Sequence, residues 1–172
     1  MELILQRARV RPFRASDVPA IVRHANNRKI WLNLRDRFPH PYTKSDARSF
    51  LRMVRSMEPE TFMAIDVDGE AVGSVGYVIQ QDVERVSAEI GYWLGESFWG
   101  RGIATEAVTA VTGYAVEHHR LARVFALPFA SNAASCRLLE KAGYVLEARL
   151  RRSAIKDGVI QDQCQYAYIA PA

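Results

Sequence analysis

Apolar and polar positions alternate along several stretches of this chain and recur at helical spacing along others, and the two periods outline its elements. Residues 7–14 place Arg7, Arg9 and Arg11 on one side and Ala8, Val10 and Pro12 on the other, the pattern of a half-buried first strand. Ser16 follows as an N-cap and Pro19 fits the first turn of a helix running toward Asn26, with a second short helix over 28–34. Pro39 and Pro41 make 35–42 a loop. Thr43 and Asp46 then open a helix to about Ser56 as a capping box.

Residues 61–67 and 70–80 are rich in strand formers and flank Asp68-Gly69, the dipeptide of a type I′ hairpin turn. After a polar loop, 87–94 reads as a further strand. A long amphipathic helix follows, with Ile103, Ala107, Val108, Val111 and Ala115 on its apolar face and His118, His119 and Arg120 at its negative end. Residues 123–127 form a strand ended by Pro128, Asn132 starts a helix that buries Leu138 and Leu139, and Gly143 stops it. A last hairpin pairs 144–156 with 159–169 across Asp157-Gly158. The order is that of a single α/β (α+β) domain over 1–172, with a mixed, mostly antiparallel sheet of about seven strands and helices on both faces.

A length of 172 residues suffices for a core without disulfides or a structural metal. The formal charge of +4 favours anionic partners without choosing among nucleic acid, an acidic protein and a phosphorylated ligand. Cys136 and Cys164 are distant in sequence and form no CxxC or Cys/His cluster, so no metal site is expected and a reducing, cytoplasmic compartment is the default. No apolar run is long enough to span a bilayer, and the N-terminal segment lacks a small-residue cleavage site, so neither membrane insertion nor secretion is expected. The arginines at 7, 9, 11, 14, 149, 151 and 152 read as solvated strand faces; without aromatic platforms or a recognition helix they do not amount to a nucleic-acid surface.

The chemistry concentrates in Trp99-Gly100-Arg101-Gly102-Ile103-Ala104-Thr105, a glycine turn between a strand and a helix. Glycines let a ligand approach the backbone, and the first amides of a helix lack internal partners and suit phosphate. No lysine follows Gly102, which removes a P-loop. Thr105 stands where a dinucleotide fold wants a small residue, and 125–128 offers no acid for a ribose.

These residues, with Ala88-Glu89-Ile90-Gly91-Tyr92-Trp93-Leu94-Gly95 before them and Ser131-Asn132-Ala133-Ala134-Ser135 after, resemble the GNAT superfamily of N-acetyltransferases, and in particular its Rim-type branch. Trp99 occupies the place of the family's usual Gln or Arg. The resemblance covers nearly the whole chain, strongest over 69–144 and weakest before Asp46.

The resemblance implies the GNAT fold and acetyl-coenzyme A as cosubstrate, with no metal. Trp93, Leu94, Trp99, Gly100, Arg101, Gly102, Ile103, Ala104, Thr105, Asn132 and Ser135 are then the donor-binding residues. Asn132 reads from its local sequence alone as an N-cap, and by resemblance as a hydrogen-bond partner of the pantetheine arm. Ser135 reads from its local sequence alone as a first-turn helix serine, and by resemblance it stands in for a tyrosine that relatives carry near Leu139 and would assist the departing thiolate. Glu89 is equally a candidate base and an exposed strand carboxylate. Cys136 has no activating base and reads as structural, and the His118-His119 pair lacks metal-ligand spacing.

Trp31, Asn33, Arg35 and Phe38 are candidates for the acceptor pocket or, alternatively, for helix packing or a dimer contact. The acceptor is a primary amine, on a small molecule or a protein N-terminus. A protein α-amine with a pKa of about 7.7–8.0 needs less help from a base than a lysine near about 10.4. The strand-rich C-terminal region is compatible with a homodimer. A noncatalytic acetyl-coenzyme-A sensor and a binding module for an acidic protein remain as alternative readings.

Overall fold

The computed structural model describes residues 1–171. Its strands are β1 (Leu3–Ile4), β2 (Arg9–Arg11), β3 (Phe62–Val67), β4 (Glu70–Ile79), β5 (Ser87–Leu94), β6 (Arg123–Ala126), β7 (Val145–Lys156) and β8 (Val159–Ile169). Its helices are α1 (Val18–Ala25), α2 (Arg28–Trp31), α3 (Lys44–Arg55), α4 (Ile103–His119) and α5 (Ala133–Lys141). The sheet order is β1-β2-β3-β4-β5-β6-β8-β7, mostly antiparallel, with β5 and β6 parallel. Eight strands replace the expected seven, because two residues before the arginine-rich segment pair with β2 as a short edge strand. The chain divides into two compact units, residues 1–76 with 92–107 and residues 77–91 with 108–172.

In the first unit, α1 and α3 pack on one another and cover a core of Phe13, Val18, Ile21, Tyr42, Leu51 and Val54. The periodicity of α3 explains this: Ala47, Leu51 and Val54 are buried while Arg48, Arg52 and Arg55 are exposed. Its expected capping box forms, with the Thr43 amide donating to Asp46 Oδ2 at 2.8 Å and the Asp46 amide donating to Thr43 Oγ1 at 3.3 Å. The Thr43 hydroxyl, donating to Asp46 Oδ2 at 2.6 Å, and then the Thr43 amide hold the Asp46 carboxyl below its ordinary range. Asp68-Gly69 turns β3 into β4 with φ of 52° and 88°, as a type I′ turn requires.

Two expectations fail in this unit for one reason. Arg11 is 1 % exposed rather than solvated, and Ser16 is not the cap of α1. The Arg11 guanidinium donates to Asp17 through Nη1 at 2.8 Å and Nη2 at 2.9 Å, and to Asp66 Oδ2 through Nε at 2.6 Å. Asp17 also accepts the Arg14 amide at 2.7 Å, and Asp66 accepts the Gly69 amide at 2.9 Å. Pulled in this way by Asp17, the chain enters α1 through a 3-10 turn, Ala15–Asp17. The two carboxylates raise the Arg11 pKa further above its ordinary value.

In the second unit, the parallel ladder comprises Ser87 with Arg123, Ala88 with Val124 and Glu89 with Phe125. α5 packs on β7 and β8. Thr112 and Tyr144 share a buried hydrogen bond of 2.6 Å, and His119 Nε2 meets Tyr77 Oη at 2.8 Å. Burial, with a smaller contribution from His118, lowers the His119 pKa. The last hairpin turns at Asp157-Gly158 as expected, but β7 bulges between Leu150 and Ala154. Arg152 there has φ of 53°, and Asp162 holds the bulge by accepting the Arg152 amide and Arg149 Nε, each at 2.8 Å.

Removing Arg11 leaves two buried carboxylates without their cation. Arg11→Met is therefore expected to cost about 3–5 kcal/mol in urea unfolding, and Arg11→Met with Asp17→Asn and Asp66→Asn to recover most of that loss. A single variant as stable as the parent would contradict this reading of the network.

Candidate functional site

The first unit contains the glycine turn. Val72 accepts the Gly95 amide at 2.8 Å, so at that end of β5 the odd-numbered peptides face β4 and the Leu94 peptide turns to the opposite edge. The Leu94 carbonyl accepts Trp99 Nε1 at 2.7 Å. A 3-10 turn, Glu96–Phe98, connects β5 to Trp99. The indole thus ties the start of the turn to the strand it leaves, which gives the residue in the family's usual Gln or Arg place a structural task.

Gly100 and Gly102 have φ of 74° and 78°, a conformation that L side chains rarely adopt. A β-carbon at Gly100 would meet nothing within 4 Å, so the backbone there is open to a ligand. The Glu106 amide donates to the Gly102 carbonyl at 3.0 Å and opens α4. The amides of Ile103, Ala104 and Thr105 precede that bond and lie in the first turn of a 17-residue helix. The helix dipole places partial positive charge at the same point. Backbone donors, the open backbone at Gly100 and positive potential fit a phosphate or pyrophosphate. Arg101 is exposed, its guanidinium 5.3 Å from the Phe98 ring.

The acceptor candidates also lie in the first unit. Phe38 packs between Tyr42 and Trp93, with ring centroids at 4.9 Å and 5.9 Å, and its ring serves the core margin. Trp31 sits 5.7 Å from the His40 ring, with the Arg28 guanidinium 5.9 Å from its own ring. Asn33 is exposed and donates from Nδ2 to the Lys29 carbonyl at 2.9 Å, and Arg35 is exposed.

The second unit holds Glu89, Asn132 and Ser135. Glu89 is half-buried on β5, between the buried Ala88 and Ile90. Asn132 caps α5 as expected, Oδ1 accepting the Ser135 amide at 3.1 Å, which leaves its Nδ2 without a partner among the described residues. Ser135 is half-buried in the first turn of α5.

The segment leading to Asn132 is fixed by β8, a feature that no local signal announces. The Ala130 amide donates to the Asp162 carbonyl and the Cys164 amide to the Pro128 carbonyl, each at 2.9 Å. Gln163 Nε2 reaches the Leu127 carbonyl at 3.2 Å, and Ser131 Oγ donates to Gln161 Oε1 at 2.6 Å.

Cys136 interacts with Cys164 and Tyr166, although the two cysteines are remote in sequence. Burial first, and Cys164 second, push the Cys136 thiol up. That reduces its thiolate fraction and weighs against an acyl-cysteine route. No group of three or more His, Cys, Asp or Glu side chains suited to a metal occurs among the described residues. No helix among them is long and apolar enough to cross a membrane.

Residues 7–145 match the family model of the acetyltransferase (GNAT) domain. The chain belongs to the GNAT family. Curated relatives of this GNAT chain include the uncharacterized N-acetyltransferase YoaA of Bacillus subtilis, 33% identical over 102 residues, covering 59% of this chain and 57% of the relative. The ribosomal-protein-serine acetyltransferase of Escherichia coli is 29% identical over 108 residues, covering 63% and 59%. The chain thus spans less than two thirds of the length of these curated relatives.

Among solved structures, a GNAT acetyltransferase from Bacillus anthracis superposes with a TM-score of 0.84 at 20% identity, covering 98% of each chain. The ribosomal L7/L12 alpha-N-protein acetyltransferase RimL, solved with coenzyme A, superposes at 0.85 and 21% identity, covering 97% of this chain and 96% of that one. At these identities the likeness is one of fold.

Trp99→Phe removes the indole donor from the Leu94 carbonyl, a bond worth about 1 kcal/mol. Amide hydrogen exchange at 100–105 is expected to quicken about fivefold in that variant. Unchanged exchange would show that the indole does not hold the turn.

Proposed function

We propose that this GNAT chain transfers an acetyl group from acetyl-coenzyme A to a primary amine, with a protein N-terminal α-amine as the favoured acceptor. The observation that carries the reading is the turn at Gly100 and Gly102, whose backbone, open at Gly100 and leading into the head of α4, has the chemistry of a pyrophosphate grip. Family membership supports acetyl transfer. The naming of an E. coli relative as a ribosomal-protein-serine acetyltransferase supports a protein N-terminus. So does acid–base economy, because an α-amine is partly neutral near pH 7.5 whereas a lysine amine needs a strong base or a desolvated site.

In this reading the turn, Trp99 to Thr105, takes the nucleotide end of the donor. Asn132 Nδ2 donates to the pantetheine arm, since its Oδ1 is engaged by Ser135. The neutral amine attacks the thioester carbonyl directly and forms the C–N bond. The Leu94 amide stabilises the oxyanion, a choice over Trp93 supported by the alternation along β5. Glu89 receives the amine proton, directly or through water, the C–S bond breaks, and Ser135 donates a hydrogen bond or a proton to the departing sulfur. Trp31, Asn33, Arg35 and Phe38 border the acceptor, Phe38 through its contact with Trp93.

The protein works in the reducing cytoplasm, consistent with two free cysteines. We read its state as a homodimer. The exposed Val145, Ile155, Val159 and Ile160 on β7 and β8 support self-association.

Thiol release from acetyl-coenzyme A should be fastest with Ala- or Ser-starting peptides in a panel that also holds polyamines, amino acids, aminoglycosides and lysine peptides. Ser135→Ala and Glu89→Gln are each expected to lower kcat about a hundredfold. Full turnover in both variants would remove these roles, and a small-molecule amine as the best substrate would remove the protein acceptor. Acetyl-coenzyme-A binding without turnover on any amine would leave a sensor.

A further inference from the structure

Gly102 is flanked by a side chain from far earlier in the sequence. A β-carbon at Gly102 would stand 3.8 Å from both Nε and Cζ of Arg7, so the guanidinium rests beside the turn. Glu106, in the first turn of α4, holds Arg7 at two points. The Arg7 amide donates to Glu106 Oε2 at 3.1 Å, and Arg7 Nη1 donates to Glu106 Oε1. The Arg7 side chain is 51% exposed and that of Glu106 only 21%, so the pair presents its cation outward. The remaining guanidinium N–H groups of Arg7 have no partner among the described residues.

A carboxylate in the first turn favours the helix, yet it is the wrong charge beside a pyrophosphate. Arg7 neutralises it and retains donors in the planar fork that suits phosphate oxygens. We propose that Arg7 is a phosphate-binding residue of the glycine turn, held over Gly102 by Glu106 and pairing with the pyrophosphate of the donor. The proposal rests on the acetyl-coenzyme-A reading and adds a side-chain cation to a grip otherwise made of backbone.

The test is calorimetric binding of coenzyme A, 3′-dephospho-coenzyme A and pantetheine to the full chain, which needs no turnover. Arg7→Ala is expected to weaken coenzyme A and its 3′-dephospho form about tenfold each, equivalent to about 1.4 kcal/mol, and to leave pantetheine within about twofold. Arg7→Gln, which keeps a donor for Glu106, should show the same loss and a shallower salt dependence.

A loss with coenzyme A that vanishes with the 3′-dephospho form would assign Arg7 to the 3′-phosphate and overturn the proposal. An equal loss with pantetheine would make Arg7 merely structural and also overturn it. Unaltered binding of all three ligands by both variants would overturn it while leaving the donor reading intact. A parent protein that binds none of the three would overturn both readings.

Discussion

The first unit depends on the Arg11 cation, removed from water and shared between Asp17 and Asp66. Alone, any of the three groups would be too costly to bury. Together they fix β2 against β3, set the turn into α1 and, through the Gly69 amide, hold the hairpin from β3 to β4. The segment before β2 leaves this anchored strand and carries Arg7 to Glu106 at the head of α4. A buried charge network and an exposed ion pair therefore lie on one short stretch, four residues apart.

Local chemistry was legible in the sequence wherever one residue and its near neighbours decide the outcome. The Thr43 and Asp46 capping box, the two Asp-Gly turns, the Asn132 cap and the Gly143 stop all depend on partners within a few residues, and all form. The apolar positions of α4 are buried where periodicity put them. The glycine turn was legible because positive φ and an open backbone follow from glycine itself.

Side chains whose partners arrive from afar were not legible. Arg11 looked like its neighbours Arg7 and Arg9, and it is buried between Asp17 and an aspartate 55 residues away, Asp66. Arg7 meets Glu106 across 99 residues, and no pattern in either segment names the other. The Leu127 to Ser131 segment held by β8 is likewise a product of tertiary contact. This division suits the function. Under the proposed function, a donor whose phosphates are bound by backbone amides leaves a motif, whereas an acceptor recognised by side chains leaves only a scatter of residues, among which Trp31 and Arg35 are candidates.

The central claim is that the amides of Gly100 to Thr105 grip the phosphates of a coenzyme-A donor. It is tested most directly by amide-resolved NMR of the labelled protein during titration with coenzyme A, with pantetheine as the phosphate-free comparison. Saturable shifts at Gly100, Gly102, Ile103, Ala104 and Thr105 with coenzyme A, absent with pantetheine, are the predicted result. Saturation by coenzyme A that leaves those amides unmoved would contradict the account.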